Sequence, residues 1–150
     1  MSVKVVTKNR KAAHNYFLMD RYEAGIVLLG SEIKSIRAGQ MSIAEAFVRV
    51  NESGAWLEDA HIAPYHQAGI NNHEPGRSRK LLLHRREINN IWDEIRKKGV
   101  TVIPTLVYLK DGMAKVEIAL AKGKRQYDKR AALAKRDAQR EIERQLRSKR

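Results

Sequence analysis

Two segments of alternating apolar residues meet at Asp111-Gly112, and this pair of segments most constrains the fold. An Asp-Gly dipeptide between such segments is a strong signal for a two-residue β-hairpin turn. We therefore predict strands over Thr101–Leu109 and Met113–Ala121, with alternate residues from Val116 to Leu120 on one buried face. Because Pro104 cannot donate a hydrogen bond to a neighbouring strand, its strand must be an edge or carry a bulge there.

Shorter segments of strand character precede this hairpin. We predict strands near Tyr16–Arg21 and over Ile26–Leu29, and a second hairpin from residues 46–50 and 55–62. About six short strands without an alternating strand–helix pattern favour a small antiparallel barrel. The predicted fold class is mainly β, an OB-like (oligonucleotide-binding-type) β-barrel over residues 1–122, followed by a basic C-terminal tail over residues 123–150.

Two helices complete the predicted barrel domain. Ser31 can cap a short helix that ends at Gly39. A longer amphipathic helix is predicted from about His84 to Lys98, with Trp92 in the core. Residues 63–79 show no periodicity, and we predict that they form a long loop.

The charge of the chain points to a polyanionic partner. Thirty Lys and Arg residues against seventeen Asp and Glu residues give a formal net charge of +13, of which +8 lies in residues 122–150. Such a charge attracts nucleic acid, because Lys and Arg neutralise phosphates and release counterions. The apolar stripe of the tail is mostly alanine, so we expect the tail to be disordered when free and helical against an anionic partner. The alternative is a solvated tail that only aids solubility.

Composition also argues against several classes of protein. Without cysteine, the chain can form neither disulfides nor thiolate zinc sites. No segment approaches membrane-spanning length and no signal peptide is evident, so we expect a cytoplasmic protein with no membrane partner. His61, His66 and His73 lack further ligands at convincing spacing, and we expect no metal and no other cofactor.

Two groups of cations are candidate phosphate contacts. Lys34 and Arg37 share one face of the predicted short helix beside Glu32, which is either an RNA ligand or a structural ion-pair partner. The segment Arg77–Lys80 holds three cations directly before Leu81–Leu83, which we expect to be a buried triplet that anchors them. The alternative for this second group is a solvated loop.

A third group lies near the N-terminus, in what we predict to be a basic lead-in to the first strand. Asn9, His14, Asn15 and Tyr16 could stack on exposed bases or hydrogen-bond to them. The alternative is that these side chains merely pack at the entrance of a strand.

Several short motifs, in order along the chain, are peculiar to one family. They are Asn9-Arg-Lys-Ala12, His14-Asn-Tyr16, Glu23-Ala-Gly-Ile-Val-Leu28, Glu32-Ile-Lys-Ser35, Ile62-Ala-Pro-Tyr65, Arg79-Lys-Leu-Leu-Leu83 and Gly123-Lys-Arg-Gln-Tyr-Asp-Lys-Arg130. Over nearly its whole length the chain resembles the SsrA-binding (SmpB) family. The resemblance implies a non-enzymatic, monomeric RNA-binding protein of trans-translation.

 The family's partners would be transfer-messenger RNA (SsrA), small-subunit ribosomal RNA and, indirectly through the RNA, elongation factor Tu.

The resemblance also implies roles for two sets of residues. Candidates for contact with the tRNA-like domain of transfer-messenger RNA are Asn9, Arg10, Lys11, His14, Asn15, Glu32, Lys34, Arg37, Arg79 and Lys80. Candidates for a tail segment that enters the decoding centre of a stalled ribosome are Lys122, Lys124, Tyr127, Asp128, Lys129 and Arg130. In this role the tail would occupy the empty mRNA channel.

Two rival functions use the same residues. Glu32 and Lys34 match the Glu-x-Lys half of a metal-dependent nuclease site, which needs another acid, and Asp20 is the only nearby candidate. A general RNA-binding module, such as a ribosomal protein, would explain the charge equally well. It would show little preference among RNAs.

Overall fold

The computed structural model describes residues 2–124 together with Arg140 and Arg144. Within these residues the elements are β1 Val3–Lys8, α1 Arg10–Asn15, β2 Tyr16–Ile26, α2 Gly30–Arg37, β3 Met41–Ser42, β4 Phe47–Asn51, β5 Gly54–Glu58, β6 His61–Ile62, a 3-10 helix His66–Asn71, β7 Arg79–Leu82, α3 Arg85–Ile95, β8 Val100–Lys110 and β9 Met113–Gly123. No helix in this part of the chain is both long and apolar enough to cross a membrane.

Seven strands form one antiparallel sheet in the order β1-β8-β9-β2-β7-β5-β4, and β3 pairs with β6. The sheet curls until β4 lies against β8, and α3 packs on both of these strands and on β9. The mainly β, OB-like architecture predicted from the sequence is therefore confirmed. The barrel is not closed by a continuous ladder, since no pairing in the described residues joins β1 to β4.

The core is built from the inward faces of the strands and one anchor from each of the two longer helices. Ile36 of α2 is 1% exposed and Ile91 of α3 is 0% exposed, and both belong to the same core cluster as inward strand residues such as Leu57 and Ile118. Burial of these apolar side chains is the main term that stabilises the fold. It also fixes which face of α2 points to solvent.

The hairpin at Asp111-Gly112 forms as predicted. Lys110 pairs with Met113, and the two turn residues have φ values of 50° and 82°, the left-handed conformation that this turn requires. The register of β8 against β9 shifts between Pro104 and Leu106, so the proline is accommodated by a bulge.

The predicted strand at residues 26–29 is wrong beyond its first residue. β2 runs on from Tyr16 and ends at Ile26, and the side chains of Val27 and Leu29 are 46% and 51% exposed. This apolar segment instead leads into α2, because the Leu29 N–H is hydrogen-bonded to the carboxylate of Glu32, one turn into the helix, at 2.7 Å. Leu29, not Ser31, precedes the first helical residue.

Two further segments contain structure that the sequence did not predict. The basic lead-in contains β1 and α1, and α1 is too short for an apolar period to be visible over its six residues. The predicted loop over residues 63–79 contains the 3-10 helix. Trp92 is half-buried, with the Arg96 guanidinium 5.6 Å from its ring centre, and is not in the core.

The β8–β9 turn gives a test of the fold. Replacement Gly112→Ala forces a β-carbon into a backbone with φ of 82°, and we expect the free energy of unfolding to fall by about 1–2 kcal/mol. Urea denaturation measures this change. The matched control is Gly76→Ala, whose φ is not left-handed and whose added carbon meets no atom within 4 Å. Equal losses in both variants would contradict the assigned turn.

Candidate nucleic-acid interface

A buried carboxylate with two arginines joins α2 to β7. Glu32 and Arg79 are both 0% exposed, and Arg79 Nε donates to Glu32 Oε2 at 2.5 Å. Arg77 donates through Nε to Oε2 at 3.0 Å and through Nη2 to Oε1 at 2.5 Å. With the Leu29 N–H also bound, both carboxylate oxygens are fully engaged within the chain.

The remaining donors of Arg79 bind backbone carbonyls. Nη1 donates to the carbonyl of Ala60 at 2.9 Å, and Nη2 donates to those of Pro75 at 3.0 Å and Glu74 at 3.3 Å. The expectation that Glu32 and Arg79 lie on an RNA-facing surface is therefore wrong, because neither side chain reaches solvent. Of the two alternatives for Glu32, the structure shows the structural ion-pair partner.

The ionisation of this cluster follows from its contacts. Burial by itself would raise the pKa of Glu32, but the hydrogen bonds from Arg77, the Leu29 N–H and Arg79 outweigh it, so the pKa lies below the ordinary 4.5. Burial lowers the pKa of Arg79 below its ordinary value, against the opposing effect of Glu32. At neutral pH, two guanidinium groups thus face one carboxylate.

Outside this cluster lies a set of cations that we call the α2–β7 face, defined by Lys34, Arg37, Lys80, Arg85 and Lys115. Lys34 and Arg37 are exposed on α2, whose buried side carries Ile36. Lys80 is exposed because it follows the inward Arg79 in β7. All three are therefore accessible to a partner, and their contact with RNA stays a prediction.

Two adjoining grooves lie on this side of the protein, and Lys80, Arg85 and Lys115 line them, whereas Lys34 and Arg37 do not. A groove of about 350 Å³ runs beside α2, one of about 610 Å³ runs beside Lys80 and Arg85, and both are lined by Gly25, Leu82 and Lys115. Sequence reasoning missed Arg85 and Lys115. Arg85 could have been suspected because it lies in the first turn of the predicted longer helix. Nothing in the sequence singles out Lys115.

The N-terminal candidates form a separate group. Asn9 precedes α1, and Arg10, Lys11, His14 and Asn15 are exposed along it. Part of this group lines a cleft of about 410 Å³ that shares no lining residue with the grooves of the α2–β7 face. The structure therefore divides the predicted RNA-binding residues between two surfaces.

The candidates for the tail divide as well. Lys122 lies in β9 opposite Phe17, and Lys124 Nζ donates to the Ala13 carbonyl at the end of α1 at 2.9 Å. Both residues thus belong to the folded body. The other four, Tyr127, Asp128, Lys129 and Arg130, and the predicted order of the tail lie outside the described residues.

Comparison with known proteins places this architecture. Residues 6–148 match the family model described as SmpB protein. The chain belongs to the SmpB family. It is 53% identical over 146 residues to an SsrA-binding protein of Desulforudis audaxviator, with 97% of this chain and 95% of the relative covered. It is 54% identical over 143 residues to that of Mycolicibacterium smegmatis, with 95% and 89% covered.

A solved structure agrees with this assignment. A chain from "tmRNA-SmpB: a journey to the center of the bacterial ribosome" is similar to this SmpB family member with a TM-score of 0.67 and 41% sequence identity. The similarity covers 79% of this chain and 83% of that chain. The predicted family resemblance is confirmed.

The buried cluster makes a prediction about stability. Glu32→Gln keeps the shape of the side chain but leaves two guanidinium groups without their counter-charge, so we expect the free energy of unfolding at pH 7 to fall by about 3–5 kcal/mol. The control Glu94→Gln removes an exposed partner of Lys97 and should cost less than about 1 kcal/mol. Chemical denaturation compares the two variants.

The same variant tests the pKa. Because the pKa of Glu32 is lower in the folded state, its contribution to stability is complete above about pH 4.5 and is lost as pH falls through the folded value. The wild type should therefore lose more stability than Glu32→Gln on acidification. Parallel acid-unfolding curves would contradict this assignment.

Proposed function

We propose that the protein binds the tRNA-like domain of transfer-messenger RNA and delivers it to stalled ribosomes for trans-translation. The observation that carries this proposal is the α2–β7 face, a set of cations on secondary structure that is held in place by a buried ion-pair cluster. Relatives named SsrA-binding protein share about half of this sequence over nearly its full length. Elongation factor Tu bound to this RNA would reach the ribosome together with the protein.

The chemistry of the face suits a phosphate backbone. Lys34 Nζ lies 5.6 Å from the centre of the Tyr65 ring, and one Nη of Arg37 lies 3.5 Å from the Gly112 carbonyl. Both contacts are weak and exposed, so the charged groups remain available to phosphate oxygens. Contacts of this kind position an RNA without reading its sequence, which suits recognition of a folded tRNA-like shape.

A nuclease is the less favoured alternative. Its proposed acid, Glu32, is buried and bound by Arg77 and Arg79, which leaves no oxygen directed at a metal ion. We therefore propose that the protein binds RNA and has no catalytic activity. We also propose that it works in the cytoplasm. Magnesium-dependent cleavage of RNA by the purified protein would contradict this.

The role of the tail is also a proposal. Residues 125–150 hold ten basic and four acidic residues, and such a segment can enter a channel lined by ribosomal RNA phosphates when no message fills it. Tyr127 would supply a stacking plane near the decoding centre, and the neighbouring Asp128-Lys129-Arg130 would supply charge. The folded body would meanwhile stand where the anticodon arm of a tRNA lies.

The α2–β7 face makes a prediction about binding. Replacing Lys34 and Arg37 together with Ala should weaken binding to transfer-messenger RNA and flatten the dependence of log K on log salt by about 1.4–1.8, if each cation neutralises one phosphate. The control is Arg96→Ala with Lys97→Ala, two exposed cations of equal charge near the end of α3. Filter binding over a salt series, with bulk tRNA as competitor, measures both. An unchanged slope, or no preference over bulk RNA, would contradict the proposal.

The tail makes a separate prediction. A cut after Lys124 leaves every described strand and the contact of Lys124 with α1 intact, so the truncated protein should fold and still bind transfer-messenger RNA. Peptide-bond formation on ribosomes with a truncated message should fail. A scrambled tail of the same composition should not restore it, because the position of Tyr127 would be lost. Full activity of the scrambled protein would mean that charge alone suffices.

A further inference from the structure

The cleft beside α1 has features that the phosphate-binding face lacks. It is lined by Asn9, Lys11, Asn15 and Tyr16 on one side and by Glu45 and Phe47 on the other. Its volume of about 410 Å³ falls in the range of roughly 300–1,000 Å³ that is usual for small-ligand pockets. The cleft can therefore admit a group the size of a nucleoside.

Asn9 lines this cleft and carries a side-chain acceptor that no described residue uses. Its backbone N–H donates to the Thr105 carbonyl at 2.9 Å and its Nδ2 donates to the Pro104 carbonyl at 3.0 Å. Since the contact with a carbonyl identifies Nδ2 as the donor, the other side-chain atom is the acceptor Oδ1. Among the described residues, Asn9 Oδ1 is the single buried side-chain nitrogen or oxygen without a hydrogen-bond partner.

The other wall offers an aromatic face. Phe47 is 41% exposed at the start of β4, an edge strand, so one side of its ring is not covered by the core. Exposed aromatic rings bind unpaired bases by stacking, with little preference for sequence. A base in a Watson–Crick pair has its donors engaged, whereas an unpaired base can turn its free polar edge toward Asn9.

An exposed ion pair lies at the mouth of the cleft. Lys11 Nζ lies 3.0 Å from Glu45 Oε1, and the two side chains are 63% and 79% exposed. An ion pair this exposed contributes little and is readily replaced. An RNA phosphate can take the place of Glu45 beside Lys11.

We propose that this cleft binds one unpaired nucleobase of an RNA, with the base stacked on Phe47 and its polar edge turned toward Asn9. The inference rests on the proposed function, which supplies two possible sources of the base: transfer-messenger RNA and ribosomal RNA. The cleft would add a contact that depends on an exposed base, in contrast to the phosphate contacts of the α2–β7 face.

The test uses the full chain with Phe47→Leu, which removes the ring but keeps an apolar side chain. We expect a roughly 5- to 100-fold loss of affinity for one of two partners, transfer-messenger RNA or ribosomes carrying a truncated message. The partner whose affinity falls is the one that supplies the base. The salt slope should stay unchanged, because stacking releases no counterions. Phe47→Trp keeps a stacking face and should restore binding.

The controls separate this inference from the proposed function. Ile70→Ala removes apolar surface from a fully exposed residue that lines none of these clefts, and should bind as the wild type does. Unfolding curves check that Phe47→Leu is folded. Suppose that the wild type binds transfer-messenger RNA selectively. If Phe47→Leu then binds transfer-messenger RNA and the ribosomes as tightly as the wild type does, the cleft takes no base. If the wild type shows no selectivity, the proposed function itself fails.

Discussion

The buried carboxylate of Glu32 is the contact on which the arrangement of the functional surface depends. It binds the start of α2 through Leu29, the segment before β7 through Arg77, and β7 itself through Arg79. A buried ion pair adds little net stability, because desolvation of the charges offsets their attraction. Removing one partner is costly, however, so α2 and β7 cannot shift apart without leaving a buried charge unpaired. The cluster therefore fixes geometry more than it adds stability.

That fixed geometry matters for the cations outside it. Lys34 and Arg37 project from the helix that Glu32 anchors, and Lys80 follows Arg79 directly in β7. Lysine and arginine side chains are long and mobile, but their backbone positions are set by the buried contacts beneath them. A folded RNA with fixed phosphate spacing can then be matched with less ordering of the protein on binding.

The sequence predicted best the features that local residues determine. The β8–β9 hairpin follows from Asp111-Gly112 and α3 from its apolar period, since neither needs information about distant partners. α1 could not be predicted, because six residues do not establish a period. The burial of Glu32 was missed for a different reason: charged residues are rarely buried unless paired, and its partners lie more than forty positions away in the chain.

The sequence nevertheless contains one local signal that Arg79, the partner of Glu32, is buried. Side chains alternate between the two faces of a strand, so Arg79 must share a face with Leu81, and Lys80 must share the other with Leu82. The structure has this pattern, with Arg79 and Leu81 buried and Leu82 54% exposed, and the expected buried Leu81–Leu83 triplet is wrong. If Leu81 is buried, Arg79, two positions earlier on the same face of the strand, must be buried as well. A buried arginine needs a carboxylate partner. A shift of one residue in this strand would bury Lys80 and expose Arg79, so the contact with Glu32 also sets the register of β7.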